Sequence, residues 1–257
     1  MRNIVKKYDI DTIYHMAAVL SAVSERDTQF GWDVNISGIY NVLETAREYQ
    51  LIRVFCPSSI AVFGPQVRVN VGQDLFLHPT TLYGVTKVAG ELLCDYYFER
   101  FGLDVRGIRY PGIISSETPP GGGTTDYAVA IFYEAIKSKR YTCFVREDTV
   151  LPMMYISDCL KAMLDLMEAD LSRLKHHSNF NVAGMSFSAG ELANEIKRYI
   201  PDFVCEFKPD FRQQIADSWP KSIDDSAARR EWGWKPTYNL HMTTKEMLRK
   251  LQNRREG

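Results

Sequence analysis

No stretch of this sequence approaches the ~20 consecutive apolar residues of a membrane-spanning helix, so no such span is expected. An excess of one charge is also missing: 31 Lys and Arg stand against 32 Asp and Glu, a formal net charge of −1. The electrostatic footprint of a nucleic-acid binder is therefore absent, and no dense basic run occurs outside Arg254-Arg255. Cysteine is sparse. Cys56, Cys94, Cys143, Cys159 and Cys205 are odd in number, widely scattered and form no C-x-x-C. That usage fits reduced, mostly buried thiols in an intracellular compartment better than a disulfide framework or a zinc site. The five histidines are dispersed apart from His176-His177, so no metal is expected. The opening Met1-Arg-Asn-Ile-Val-Lys-Lys-Tyr-Asp9 has neither an apolar h-region nor transit-peptide character.

What is present is ordinary globular material: 257 residues, 45% apolar and 25% charged. This is enough for one large α/β domain or two small ones sharing a core. Asp11-Thr-Ile-Tyr-His-Met-Ala-Ala18 reads as a buried parallel strand running into a loop. Residues 33–49 carry Ile36, Ile39, Leu43 and Ala46 at helical spacing. Arg53 to Ser59 is a second strand with a polar end, Tyr83 to Phe101 a long helix stopped by Gly102, and Val105 to Pro111 a third strand. Strand–helix alternation predicts a parallel sheet with right-handed crossovers.

Beyond Pro111 the texture changes. Residues 115–126 are expected to be irregular, and helices are predicted over 127–139 and over 157–168, the latter capped by Ser157 or Asp158. Phe180 to Val182 and Phe203 to Phe207 read as strands. Ser188-Ala-Gly-Glu191 is a capping box opening a helix to Ile200, and a last helix spans about 243–251. We divide the chain into 1–115, a partial dinucleotide-binding portion with the catalytic residues, and 116–257, a mainly substrate-binding α+β portion.

The sharpest constellation joins Ser58 and Ser59, at a strand end, to Tyr83-x-x-x-Lys87. Residues four apart on a helix share a face. An ammonium there favours the phenolate, and a nearby hydroxyl can hold a substrate oxygen against the phenol. Such a trio suits proton removal from a carbinol while hydride leaves for a nicotinamide. A second Tyr-x-x-x-Lys, Tyr133/Lys137, has no polar strand end before it and reads as a solvated helix face. Which of Ser58 and Ser59 acts is open in the sequence.

With His15-Met-Ala-Ala18, Asn35, Pro57-Ser-Ser-Ile-Ala-Val-Phe-Gly64, Tyr83-Gly-Val-Thr-Lys87 and Arg109-Tyr-Pro-Gly112, the chain resembles the extended short-chain dehydrogenase/reductase family. Within it the chain looks most like the NAD-dependent L-threonine 3-dehydrogenases. Leu20-Ser-Ala22, Pro119-Pro-Gly-Gly-Gly-Thr-Thr-Asp-Tyr127, Leu151-Pro-Met-Met-Tyr155, Ala216-Asp-Ser-Trp-Pro220 and Glu231-Trp-Gly-Trp234 carry that narrower likeness. The resemblance implies a Rossmann-like doubly wound α/β fold with NAD as cofactor and L-threonine as substrate.

It also implies roles. Tyr83 would be the base, with Lys87 assisting it and holding the cofactor ribose, and Ser58 or Ser59 would orient the hydroxyl; counting back from Phe63-Gly64 favours Ser59. Ala17, Ala18, Tyr110 and Ile113 would face the cofactor. Ser21, Ser59, Thr125, Asp126 and Trp219 would face the substrate, although Asp126 also reads as a helix cap. Homodimers through helices 35–50 and 83–101 are expected. Animal relatives place the protein in mitochondria; without a targeting segment in this sequence, the cytoplasm is the alternative.

One feature of the family is not found. Relatives open on a strand, a Gly-x-x-Gly-x-x-Gly turn and a helix that receives the pyrophosphate. No such pattern precedes His15, and Gly121-Gly-Gly123 follows prolines, so it is not expected to open a helix. The expectation is a shortened product, a splice form or fragment, lacking roughly 55 to 60 residues and the first strands of a complete Rossmann domain, with NAD binding impaired. The competing readings are a nucleotide-sugar epimerase or dehydratase, and a non-catalytic form that pairs with full-length protein.

Overall fold

Parallel strands covered by helices on both faces need apolar side chains throughout. Val54, Phe55, Val105 and Ile108 meet that need and are buried. The computed structural model describes residues 1–66 and 69–256. In the first half the elements are α1 (Arg2–Tyr8), β1 (Thr12–Tyr14), α2 (Ser21–Arg26), α3 (Thr28–Trp32) and, after a π-helical turn, α4 (Gly38–Glu48). Then come β2 (Arg53–Phe55), β3 (Ser58–Ser59), β4 (Asn70–Val71), α5 (Leu82–Phe101), β5 (Asp104–Arg106), β6 (Ile108–Tyr110) and β7 (Gly112–Ile114). The second half holds α6 (Tyr127–Ser138), β8 (Arg140–Cys143), β9 (Val150–Tyr155), α7 (Ile156–Glu168), β10 (Phe180–Asn181) and β11 (Met185–Ser188). It ends with α8 (Ala189–Lys197), β12 (Val204–Phe207), α9 (Arg212–Asp217), β13 (Ser222–Ile223), α10 (Ser226–Trp232) and α11 (Leu240–Glu256).

The fold is α/β and Rossmann-like. β1, β2 and β5 form one parallel run, and β3, β6 and β10 continue it. β7 and β9 pair in parallel, with β11 antiparallel on the far side of β9. Because β10 pairs with β6, residues on both sides of position 115 share the sheet. They share the core too. Ile60 to Phe63 pack with α6, α8 and α11, while Phe55 and Ile108 pack with α7, Phe180 and Trp234. Among the described residues no helix is long and apolar enough to cross a membrane.

Several expectations need correction. The first strand is three residues long and half-buried, with Tyr14 exposed, because β1 lies at the margin of its run. The segment from Arg53 to Ser59 is two strands: β2 pairs with β1 and β5, and β3 with β6. Residues 115–126 are not wholly irregular, since Thr124–Asp126 form a 3₁₀ turn leading into α6. Gly121 to Gly123 thus does precede a helix. Tyr155, not Ser157 or Asp158, stands at the start of α7. The buried Asp158 instead accepts the N–H groups of Thr237 and Tyr238, tying the approach to α11 onto α7.

The element that positions the site is α5. Thr81 caps it by accepting the Gly84 N–H, Glu25 of α2 accepts the Leu82 N–H at 2.7 Å, and Gly102, at φ +66°, ends it in the left-handed region. Gly84 lets the first turn touch the end of β3: a Cβ there would lie 2.4 Å from the Ala61 carbonyl oxygen. On the opposite side of the sheet, buried Arg106 donates to the Leu166 and Ala169 carbonyls at the end of α7, at 2.6 and 2.7 Å.

Candidate active site

β3 ends in two adjacent hydroxyls, and neighbouring strand residues point to opposite sides. Ser58 Oγ donates to Glu91 Oε1 of α5 at 2.5 Å, under the helix. Ser59 Oγ accepts the Ala61 N–H at 3.2 Å, so the turn that ends the strand also fixes this hydroxyl. Both serines are buried.

One turn apart on α5, Tyr83 and Lys87 stand beside them. The Lys87 ammonium donates to the Pro57 carbonyl at 2.8 Å and lies 5.5 Å from the centre of the Tyr83 ring. These four side chains open onto one cleft of about 280 Å³. The same cleft is lined by Ala18, Ser21, Tyr110, Ile113, Thr125, Asp126 and Trp219. Ala17 lies off it. It lines a smaller cavity behind Lys87, of about 20 Å³, which has room for a water molecule. Tyr133 and Lys137 face elsewhere: the phenol approaches the Ser116 carbonyl and the ammonium lies near Glu134.

The far wall has its own bracing. Asp126 Oδ2 accepts the N–H groups of Gly122 and Gly123 at 2.8 and 2.9 Å, folding the glycine loop back on itself. Gly122, at φ +97°, permits that turn. Ser21 Oγ meets Thr124 Oγ1 at 3.0 Å, joining α2 to the loop. Trp219 is buried, and its indole N–H has no hydrogen-bond partner among the described residues. An unpaired buried donor on a cleft wall is what a ligand oxygen would satisfy.

Two electrostatic features bear on the chemistry. Tyr110 is buried and donates to the Cys159 carbonyl at 3.1 Å. Burial pushes its phenol well above the ordinary value, so it stays neutral as a wall of the site. His15 faces the small cavity beside Lys87, where burial first and the Lys87 charge second hold its imidazole below the usual range.

A profile of the NAD dependent epimerase/dehydratase family matches residues 1–183. This chain belongs to that family. It is 47% identical to an uncharacterized epimerase/dehydratase of Staphylococcus saprophyticus, over 100% of its own length and 81% of the relative's. Among solved structures it is similar to an L-threonine dehydrogenase from Clostridium difficile, with 52% identity, a TM-score of 0.96, and 100% of this chain and 81% of that one covered. A monomeric L-threonine 3-dehydrogenase from a metagenome, in its apo form, is 50% identical with a TM-score of 0.96, covering 98% of this chain and 82% of that one. The staphylococcal and clostridial relatives are bacterial and lend no support to a mitochondrial placement.

The residues present fit one end of the family's cofactor. Ala18 is small, Ile113 offers an apolar wall, and Lys87 and Tyr83 offer polar groups suited to a ribose and a nicotinamide. The glycine loop does not fit the pyrophosphate, since Asp126 already takes the Gly122 and Gly123 N–H groups.

Residue patterns did not single out Glu91. Its signal was the continued spacing Tyr83, Lys87, Glu91 along one helix face, ending in a buried charge.

Proposed function

We propose that the chain oxidises the β-hydroxyl of L-threonine with NAD, giving L-2-amino-3-ketobutyrate. The reading rests on Ser59, Tyr83 and Lys87 facing Thr125 and Trp219 across one cleft, in a chain about half identical to solved threonine dehydrogenases.

In this reading Ser59 is the hydroxyl that orients the substrate, because Ser58 is committed to Glu91. Tyr83 takes the proton from the β-hydroxyl oxygen. Lys87, anchored on the Pro57 carbonyl, stands beside the Tyr83 ring and lines the same cleft. Ile113 and Tyr110 exclude water from the apolar side. The Trp219 N–H and the Thr125 and Ser21 hydroxyls supply donors for the amino-acid carboxylate, and the Asp126 carboxylate supplies a negative charge for its ammonium. NAD, when bound, supplies the hydride acceptor; Lys87 and Tyr83 would hold its ribose, and Ala17 and Ala18 would lie on the adenosine-ribose side.

The proposal includes pairing of two copies through α4 and α5, where Tyr40, Leu92 and Tyr96 are exposed, and a cytoplasmic location. Light scattering decides the pairing.

The second reading, a nucleotide-sugar epimerase or dehydratase, is favoured by the family's description and by the staphylococcal relative's name. Purified protein incubated with NAD and either L-threonine or UDP-hexoses separates the two. NADH appearing only with L-threonine is expected. Sugar conversion without threonine oxidation would overturn the proposal.

A further inference from the structure

We infer that Glu91 is a positioning residue whose buried carboxylate sets the register of the Tyr83–Lys87 helix face against the strand end that carries Ser59. The inference rests on the dehydrogenase reading only for what the geometry is used for; the geometry itself is independent of substrate.

Glu91 lies two turns beyond Tyr83 and one beyond Lys87, on the same face of α5. It is 4% exposed, and it is shared by both strands that build the site. Ser58 of β3 donates to Oε1, while Arg109 of β6, 3% exposed, donates through Nε to Oε1 at 2.9 Å and through NH2 to Oε2 at 2.7 Å. Arg109 is held in turn by the Gln73 carbonyl and by Asn181 Oδ1 of β10. One helical turn back, Lys87 reaches Pro57, and one turn on, Asp95 accepts from Ser178 at 2.6 Å. The helix is therefore fixed along its length by directional contacts, with Glu91 at the centre.

A buried ion pair is a poor device for stability alone, because desolvating both charges offsets much of their attraction. Apolar side chains of similar volume would hold the helix about as firmly but would let it slide by a fraction of a turn. A bidentate carboxylate–guanidinium pair has one geometry. The fixed geometry matters because Ser59 is the next residue after Ser58 and pairs with Tyr110, the next after Arg109. A slip of about 1 Å between α5 and β3 would carry directly to the separation of Tyr83 and Ser59, and misplacements of that size cost roughly a hundredfold in rate.

The test replaces both charges by apolar groups, Glu91→Leu with Arg109→Met, beside Ser58→Ala, which leaves the ion pair intact. The double variant is expected to melt at or above the parent's temperature, to lose about tenfold to a hundredfold in kcat and to change KM for L-threonine by less than about threefold. Ser58→Ala is expected to lose a smaller factor in kcat with the same KM. Unchanged kcat in a folded double variant would overturn the inference. Should the double variant not fold, Glu91→Gln takes its place, since the amide keeps the volume but loses an acceptor of the bidentate pair; unchanged kcat in that variant would overturn the inference. A parent without threonine turnover would instead refute the dehydrogenase reading. The Tyr83 to Ser59 separation in crystals of parent and Glu91→Gln then decides: a shift supports the positioning role, and none overturns it.

Discussion

On the α5 side of the cleft, the anchoring contacts reach far along the chain: Ser58 to Glu91, Arg109 to Glu91 and Asn181, Lys87 to Pro57. On the opposite side, Asp126 reaches back only to Gly122 and Gly123, and one long tie joins Ser21 to Thr124. The first wall inherits its geometry from the sheet and cannot move without moving strands. The second is a local turn, closed by contacts three and four residues apart and by one tie to α2. Chemistry common to a family belongs on the first kind of wall and substrate choice on the second, as the separation of scaffold from loops would suggest.

Tyr83→Phe tests the fixed wall most severely. It removes one hydroxyl from a half-buried ring, so melting should shift little, while kcat should fall by about a hundredfold to ten-thousandfold, as for a lost general base. Retained turnover would take the chemistry away from α5 altogether.

Asp126→Asn sharpens the contrast at the loop wall. The amide oxygen can still accept the Gly122 and Gly123 N–H groups, so a loop brace alone predicts a KM change of less than about threefold. A KM rise of about a hundredfold with unchanged melting would identify Asp126 as the partner of the substrate's ammonium.

The smallest effect concerns His15 and the cavity behind Lys87. Its folded value lies below the ordinary imidazole range, so on acidification the unfolded chain binds its proton first. Stability contributed above about pH 6.5 is thus lost as pH falls through and below that value. His15→Gln should reduce the acid slope of the denaturation midpoint, and His177, shifted in the same direction, should retain part of it. Identical slopes in parent and variant would show that burial of His15 carries no proton linkage.

Much of this arrangement was legible in residue patterns. The helix from Leu82 to Phe101 announced itself by its length and by Gly102, and the Ser188–Glu191 capping box formed as read, because caps and turns depend on neighbours a few residues away. The facing of Tyr83 and Lys87 followed from helical spacing alone. The irregular reading of 115–126 failed because a turn of 3₁₀ helix braced by Asp126 needs only three residues and no hydrophobic period.

By itself, then, the sequence determined the α/β class, the helix that carries the phenol and amine, and the two hydroxyls from which one had to be chosen. Tertiary structure showed that one of those hydroxyls, Ser58, is held by Glu91, and so revealed Glu91 itself. A strand turns successive side chains to opposite sides, and which side lies under α5 depends on how β3, β6 and the helix stack, contacts set between residues 33 and 18 positions apart.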